Sequence, residues 1–179
     1  MKKIIVLLSI FGLLCLTISI CAAADTETFA FQNGIKWGMS QDEVIKTLPT
    51  KRYEVERERK LDYLEVDDEL YEFEKIPAGV TFGFDHDALV VIQLSFDTED
   101  RGVSEKGIMD AMEKLYGTAE DVKDTAIIDE LMKVANYDEI DMDVKRGDTL
   151  YQWSLKDGTV IIMRVESHDE DIKVAFFSK

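Results

Sequence analysis

Two histidines, His86 and His168, are the only imidazoles in the 179 residues, and both stand among acids, as Asp85-His86-Asp87 and His168-Asp169-Glu170. An imidazole beside an orienting carboxylate is the minimum for proton transfer or metal ligation. Each triplet also reads as a solvated hairpin turn, so neither is assigned a catalytic role. The 37 Asp and Glu residues could supply the paired carboxylates of a glycosidase, but no spacing singles out two of them. Asp138-x-x-Asp141-x-Asp143 and the stretch 166–171 (Glu-Ser-His-Asp-Glu-Asp) are oxygen-rich enough for calcium. Neither has EF-hand spacing, and Lys145 and Arg146 stand where further ligands belong. Nucleophile elbows, phosphate-cradling Gly-rich loops and His-Glu-x-x-His pairs are missing from the sequence. The residues therefore name no enzyme activity and no cofactor, and they leave a metal site open.

The first 24 residues read as an address. Lys2 and Lys3 form a basic start, residues 4–20 are an apolar run, and Ala22-Ala23-Ala24 places small residues before Asp25. That is the layout of a secretory signal peptide cut between Ala24 and Asp25. Export to the periplasm or beyond the cell follows, with no stable membrane insertion once the leader is gone. Cys21 raises lipid anchoring, but Ile20 is larger than the small residue that should precede a lipidated cysteine. Cleavage removes Lys2 and Lys3 and both cysteines, Cys15 and Cys21, so the net charge moves from −16 to −18. A cysteine-free chain has no disulfide framework and no thiolate chemistry. Its charge is the wrong sign for binding a phosphate backbone, which excludes nucleic acid. Its 46% hydrophobic content predicts a packed core rather than an acidic disordered tail.

The elements that must position these residues come next. Phe29, Phe31, Ile35 and Trp37 flank Asn33-Gly34 and predict a short hairpin or bent strand. Ser40 and Glu43 form a capping box, Met39 and Val44 a hydrophobic staple, and Pro49 ends the helix they start. Between Arg52 and Glu74 a loose alternation of Tyr53, Val55, Leu61, Tyr63, Leu70, Tyr71 and Phe73 predicts exposed antiparallel strands. Val80, Phe82 and Phe84 lead into Asp85-His86-Asp87, and Ala88, Val90, Ile92, Leu94 and Phe96 lead out, as a hairpin with one buried face. After a polar joint at 97–102, Ser104 starts a helix carrying Ile108, Met112, Leu115 and Tyr116 and closed by Gly117. A third helix is expected, started by Asp124 or Thr125 and carrying Ile127, Ile128, Leu131, Met132 and Ala135. Three strands follow, around Tyr151–Leu155, 159–165 and Ile172–Phe176.

Helices and strands thus group without β-α-β alternation, which predicts α+β with an antiparallel sheet. The order repeats: residues 25–100 and 101–179 each run helix, then antiparallel strands, as two similar halves forming a helix-on-sheet layer. Trp37, Tyr53, Tyr63, Tyr71 and Trp153 either pack in the core or, gathered on one sheet face, make a recognition surface.

Gly34-Ile35-Lys36-Trp37-Gly38-Met39-Ser40 with Glu43-Val44 and Leu48 resembles the opening of small exported bacterial α+β proteins. Leu115-Tyr116-Gly117, Tyr151-x-Trp153 and Asp157-Gly158-Thr159-x-Ile161 are similar to the second half of that group. Its relatives in shape are the outer-membrane assembly component BamE and the tandem β-lactamase inhibitor proteins. The resemblance implies an architecture and a tendency to bind other proteins, with no catalytic residue carried over. The sequence therefore predicts a monomeric exported acidic module whose partner is another envelope or extracellular protein. The alternatives are a small carboxylate-dependent hydrolase and a calcium-binding envelope protein.

Overall fold

The computed structural model describes residues 29–57, 61–99, 102–122, 126, 140, 142, 144–167 and 171–178. The leader 1–24, residues 127–135 of the expected third helix, His168 and the acids at 138, 141 and 143 lie outside the described residues. Helix α1 (Gln41–Thr47) starts where the capping box places it. The Ser40 hydroxyl accepts from the Glu43 N–H, and the Glu43 carboxylate accepts from the Ser40 N–H at 2.9 Å. Helix α2 (Glu105–Tyr116) is capped by Ser104, whose Oγ accepts from the Gly107 N–H at 3.1 Å. It closes at Gly117, whose φ of +85° and ψ of −169° are a backbone conformation open essentially to glycine alone.

The strands are β1 (Glu54–Arg57), β2 (Asp62–Val66), β3 (Glu72–Phe73), β4 (Ile76–Pro77), β5 (Gly79–Asp85), β6 (Ala88–Asp97), β7 (Glu120–Asp121), β8 (Thr149–Ser154), β9 (Val160–Val165) and β10 (Asp171–Phe177). Eight of them form one sheet in the order β1-β2-β5-β6-β10-β9-β8-β7, and β3 pairs only with β4. Neighbouring strands in the eight-stranded sheet all run antiparallel, so the fold is α+β, as the grouping of elements predicts. Among the described residues, no helix is long and apolar enough to cross a membrane.

Alternation along each strand divides the sheet into two faces. Val44 of α1 and Leu48 just after it, and Ile108, Met112 and Tyr116 of α2, join Phe82, Leu94, Met163 and Phe176 in one large core on the helix side. Leu61, Tyr63, Val91, Ile140, Met142, Leu150, Ile162 and Phe177 form a smaller core on the opposite side.

Three local expectations are corrected. The Asn33-Gly34 turn forms, with Asn33 at φ 60° and Gly34 at φ 77°, and the Phe31 N–H donates across it to the Ile35 carbonyl at 3.0 Å, but its flanks form no strand ladder. They make a short 3-10 turn (Gln32–Gly34), and Phe29, Phe31 and Ile35 are drawn into the helix-side core instead. In the stretch expected as exposed strands, only β1 is exposed throughout; Tyr63, Leu64, Tyr71 and Phe73 are buried, because both sheet faces are covered there. The alternation of β6 is also broken. Phe84 pairs with Leu89 and Gly83 with Val91, so Val90 is an extra residue in a β-bulge. Leu89 and Ile92 consequently face the helix side, while Val90 and Val91 face the other.

Candidate binding groove at the strand ends

The termini of β2, β5, β6 and β10 meet at one end of the sheet, on the face away from the helices. Together with the start of β1 they enclose a groove of about 880 Å³. Glu54, Glu65, Asp67, Asp68, Asp97 and Asp171 line it, and Arg52 is the one cation among the described lining residues. Strand register brings like charges into direct opposition there. Glu54 faces Glu65 across the β1–β2 ladder, and Asp97 faces Asp171 across the β6–β10 ladder. Directly opposed like charges destabilise a strand pair.

Local hydrogen bonds hold the rim. The Asp67 carboxylate accepts from the Glu69 N–H at 3.1 Å, and Asp97 accepts from the Glu99 N–H at 2.9 Å, both as Asx turns. Thr81 Oγ1 donates to Glu65 Oε1 at 3.3 Å. Behind the lining residues, Gln93 is 5% exposed and its Nε2 donates to Ser95 Oγ at 3.4 Å, while its Oε1 is buried with no hydrogen-bond partner. Gln93 pairs with Thr81 in the ladder, and both Thr81 and Ser95 line the groove.

Beside the groove lies a buried ionic cluster. Arg164 is fully buried; its Nε donates to Asp148 Oδ2 at 2.8 Å and its Nη2 lies 3.2 Å from Glu166 Oε1. Lys145 and Lys173 approach Glu166 at 3.6 and 3.8 Å. Burial pushes the Asp148 carboxyl up, but hydrogen bonds from the Lys145 N–H, the Arg164 guanidinium and the Ser167 N–H outweigh it and hold the group below the usual range. Asp157 behaves alike. Burial raises it, and the Phe29 and Thr159 N–H groups bring it down further. Burial alone raises Tyr71 well above the ordinary phenol range, and Tyr116 follows, with Glu74 adding to the effect.

The five aromatics do not form one surface, which corrects that expectation. Trp153 is buried with its indole N–H donating to the Gly117 carbonyl at 2.7 Å, and Tyr71 is buried in the same helix-side core. Tyr63 belongs to the core on the opposite face. Trp37 is half-buried, stacked on Phe29 with centroids 4.3 Å apart, and donates to Thr159 Oγ1 at 2.8 Å. Only Tyr53 is exposed, at the groove rim. Core packing took the rest because each is a large apolar body with a satisfied or enclosed polar tip.

His86 is the first residue of the β5–β6 turn, with its side chain 94% exposed and Nδ1 2.6 Å from Asp85 Oδ1. His86 and Asp87 both adopt positive φ, 49° and 64°, as a two-residue type I′ hairpin requires, and Asp87 Oδ1 accepts from the Gln41 N–H. The triplet is thus a turn and a tether for α1. Of the oxygen-rich stretch 166–171, Glu166 is committed to the Arg164 cluster. Among the described residues, no group of three or more His, Cys, Asp or Glu side chains is placed to hold a metal ion. The groove carboxylates escaped the sequence reading because register, not spacing, brings them together. No protein-family model matches the chain, and no curated protein or solved structure matches it either.

Proposed function

We propose that the chain is an exported, non-catalytic binding module whose acid-lined groove takes a basic segment of another envelope or extracellular protein. The observation that carries this reading is the convergence of six carboxylates with a single arginine on one groove. A pocket for an apolar small molecule has a predominantly hydrophobic lining with few polar groups, whereas here six carboxylates stand beside Tyr53, Val66, Leu70, Val80 and Phe96. An extended Lys- or Arg-bearing segment matches both its charge and its openness at the sheet end. The overall charge of −16 steers such a partner in at low salt.

The expected leader puts the module outside the cytoplasm. Two similar α+β halves, 25–100 and 101–179, are the architecture we infer. The sheet order supports it, because β6 and β10 meet at the centre and each is the last strand of its half. Helices α1 and α2 lie on the same face of that sheet, one for each half. The resemblance to the tandem inhibitor proteins points the same way.

Calorimetric titration with hexalysine tests the reading. The variant Glu65→Gln/Asp97→Asn/Asp171→Asn is compared with Asp42→Asn/Asp110→Asn/Glu113→Gln, which changes the same charge on the exposed sides of the helices. The groove variant is expected to lose about tenfold or more in affinity, and the helix variant less than about threefold, since dispersed surface charges are screened. Equal losses would reduce the interaction to general charge attraction and sink the proposal.

A further inference from the structure

Among the described residues, β1 (Glu54–Arg57) closes one side of the eight-stranded sheet with its outer edge unpaired. All four of its residues are exposed. An antiparallel strand turns its backbone N–H and C=O groups alternately to either side, so half of those in β1 face outward as a template for another strand. The opposite edge, β7, has two residues. Side chains along β1 alternate in character. Val55 stands opposite Leu64 of the helix-side core, while Glu54 and Glu56 stand on the other face, opposite Glu65 and Tyr63. Tyr53 and Val55, 37% and 43% exposed, are the exposed large hydrophobic side chains among the described residues, and both belong to this edge. The carboxylates of Glu54 and Glu56 make no hydrogen bond or ion pair among the described residues. Arg52, Tyr53 and Glu54 also line the groove, so a segment laid along β1 runs into it.

Charge decides between a second copy of the chain and a foreign strand at this edge. A second copy would meet β1 about a twofold axis, which matches residues on the same face of the sheet. Registers centred on Glu54, Glu56 or Arg57 oppose each residue to itself, and one centred on Val55 opposes Glu54 to Glu56. Every such register sets like charges against one another, between chains of net charge −16 each. A basic strand meets the same two acids favourably. We infer that β1 is extended by a strand of the partner protein in which Lys or Arg alternates with apolar residues, the basic side chains on the side of Glu54 and Glu56 and the apolar ones on the side of Val55. In such strand addition the backbone bonds give affinity and the alternate side chains give specificity. The inference rests on the reading above for the basic partner, and adds the conformation and the pattern in which that partner is held.

Peptides of equal charge separate strand pairing from charge attraction. With the purified full chain, the hexapeptide Lys-Val-Lys-Val-Lys-Val is expected to bind about tenfold or more tightly than its isomer Lys-Lys-Lys-Val-Val-Val, which cannot match both faces at once. Backbone N-methylation of the alternating peptide, at its lysines or at its valines, removes the N–H groups of one side only. One of the two methylated forms is expected to lose about tenfold or more, through about two missing bonds to β1, and the other less than about threefold. Glu54→Lys/Glu56→Lys should weaken the alternating peptide by about tenfold or more and strengthen Glu-Val-Glu-Val-Glu-Val. If both methylated forms bind as the parent does, while the groove triple variant weakens hexalysine, the groove reading stands and this inference falls. A methylation split that survives in the groove triple variant unweakened would keep the edge and remove the groove. If no peptide binds saturably, both fall together. A wild-type dimer in sedimentation that Val55→Lys disperses would give the edge to a second copy and overturn the inference. Should the charge-swapped variant not fold, the methylated pair on the wild-type chain decides the matter alone.

Discussion

Gly83→Ala is a single methyl group that the sheet has no room for. A Cβ built at Gly83 would lie 2.4 Å from Val91 Cγ1, with Tyr63 Cε1 at 3.4 Å and Leu61 Cδ1 at 3.5 Å behind it. Carbon atoms in ordinary contact sit about 3.5–4.0 Å apart, so Val91 must retreat by more than about 1 Å. It cannot do so freely. Val91 is fully buried in the smaller core and its branched side chain has one comfortable rotamer. The neighbouring bulge at Val90 already fixes the local register. Overpacking of this kind costs about 1–3 kcal/mol, which lowers the melting temperature by roughly 2–12 °C for a chain of this length. Gly79→Ala, on the same strand, meets nothing nearer than 3.9 Å and is the matched control. It should be neutral or slightly stabilising through the unfolded chain. Adding Val91→Ala to Gly83→Ala should recover stability relative to the sum of the single changes, with coupling of about 1 kcal/mol or more. Thermal and urea unfolding followed by circular dichroism reads the wild type, the three single variants and the double variant. A Gly83→Ala protein as stable as Gly79→Ala, or strict additivity with Val91→Ala, would refute the packing argument.

Asp148→Ala strands a fully buried arginine beside Glu166, and is expected to cost about 3–5 kcal/mol in urea unfolding; a loss under about 1 kcal/mol would show the cluster to be solvated. Asp148 and Asp157 have folded pKa values below their unfolded ones, so their stabilisation is fully present above the unfolded pKa near about 3.9 and is lost as pH falls through the folded values. The urea midpoint should therefore be lost in that acid window, with Asp148→Asn showing a shallower loss; a parallel wild-type and variant profile would contradict this assignment. His86→Asn keeps a residue tolerant of positive φ in the turn, so stability should change by less than about 0.5 kcal/mol and hexalysine affinity should hold. A large loss of binding would return the histidine to a functional role.

What could be read from the sequence was local. The Ser40–Glu43 box and the Ser104–Gly117 limits of α2 depend on groups within a few residues of one another, and each stands where its residue types put it. The β5–β6 hairpin was legible from alternation, but the bulge was not, because Leu89, Val90, Val91 and Ile92 are all apolar and give no sign of which faces which core. Tyr63 and Tyr71 looked alike in a charged stretch, yet they lie in cores on opposite faces of the sheet. The groove was hidden for a related reason. Glu54, Glu65, Asp97 and Asp171 are spread over more than a hundred residues, and only the ladder registers of β1 with β2 and β6 with β10 set them facing in pairs. Arg164 and Gln93 likewise occupy interior positions in apolar strands, where their partners come from across the sheet.

The most direct test of the groove is to map where a basic segment lands. Backbone amide shifts recorded during a hexalysine titration should move at Glu54, Glu65 to Leu70, Gly79 to Thr81, Ser95 to Asp97 and Asp171, and saturate together with one affinity. Shifts spread evenly over the acidic residues of α1 and α2, without saturation, would contradict a built site and leave only the charge of the chain.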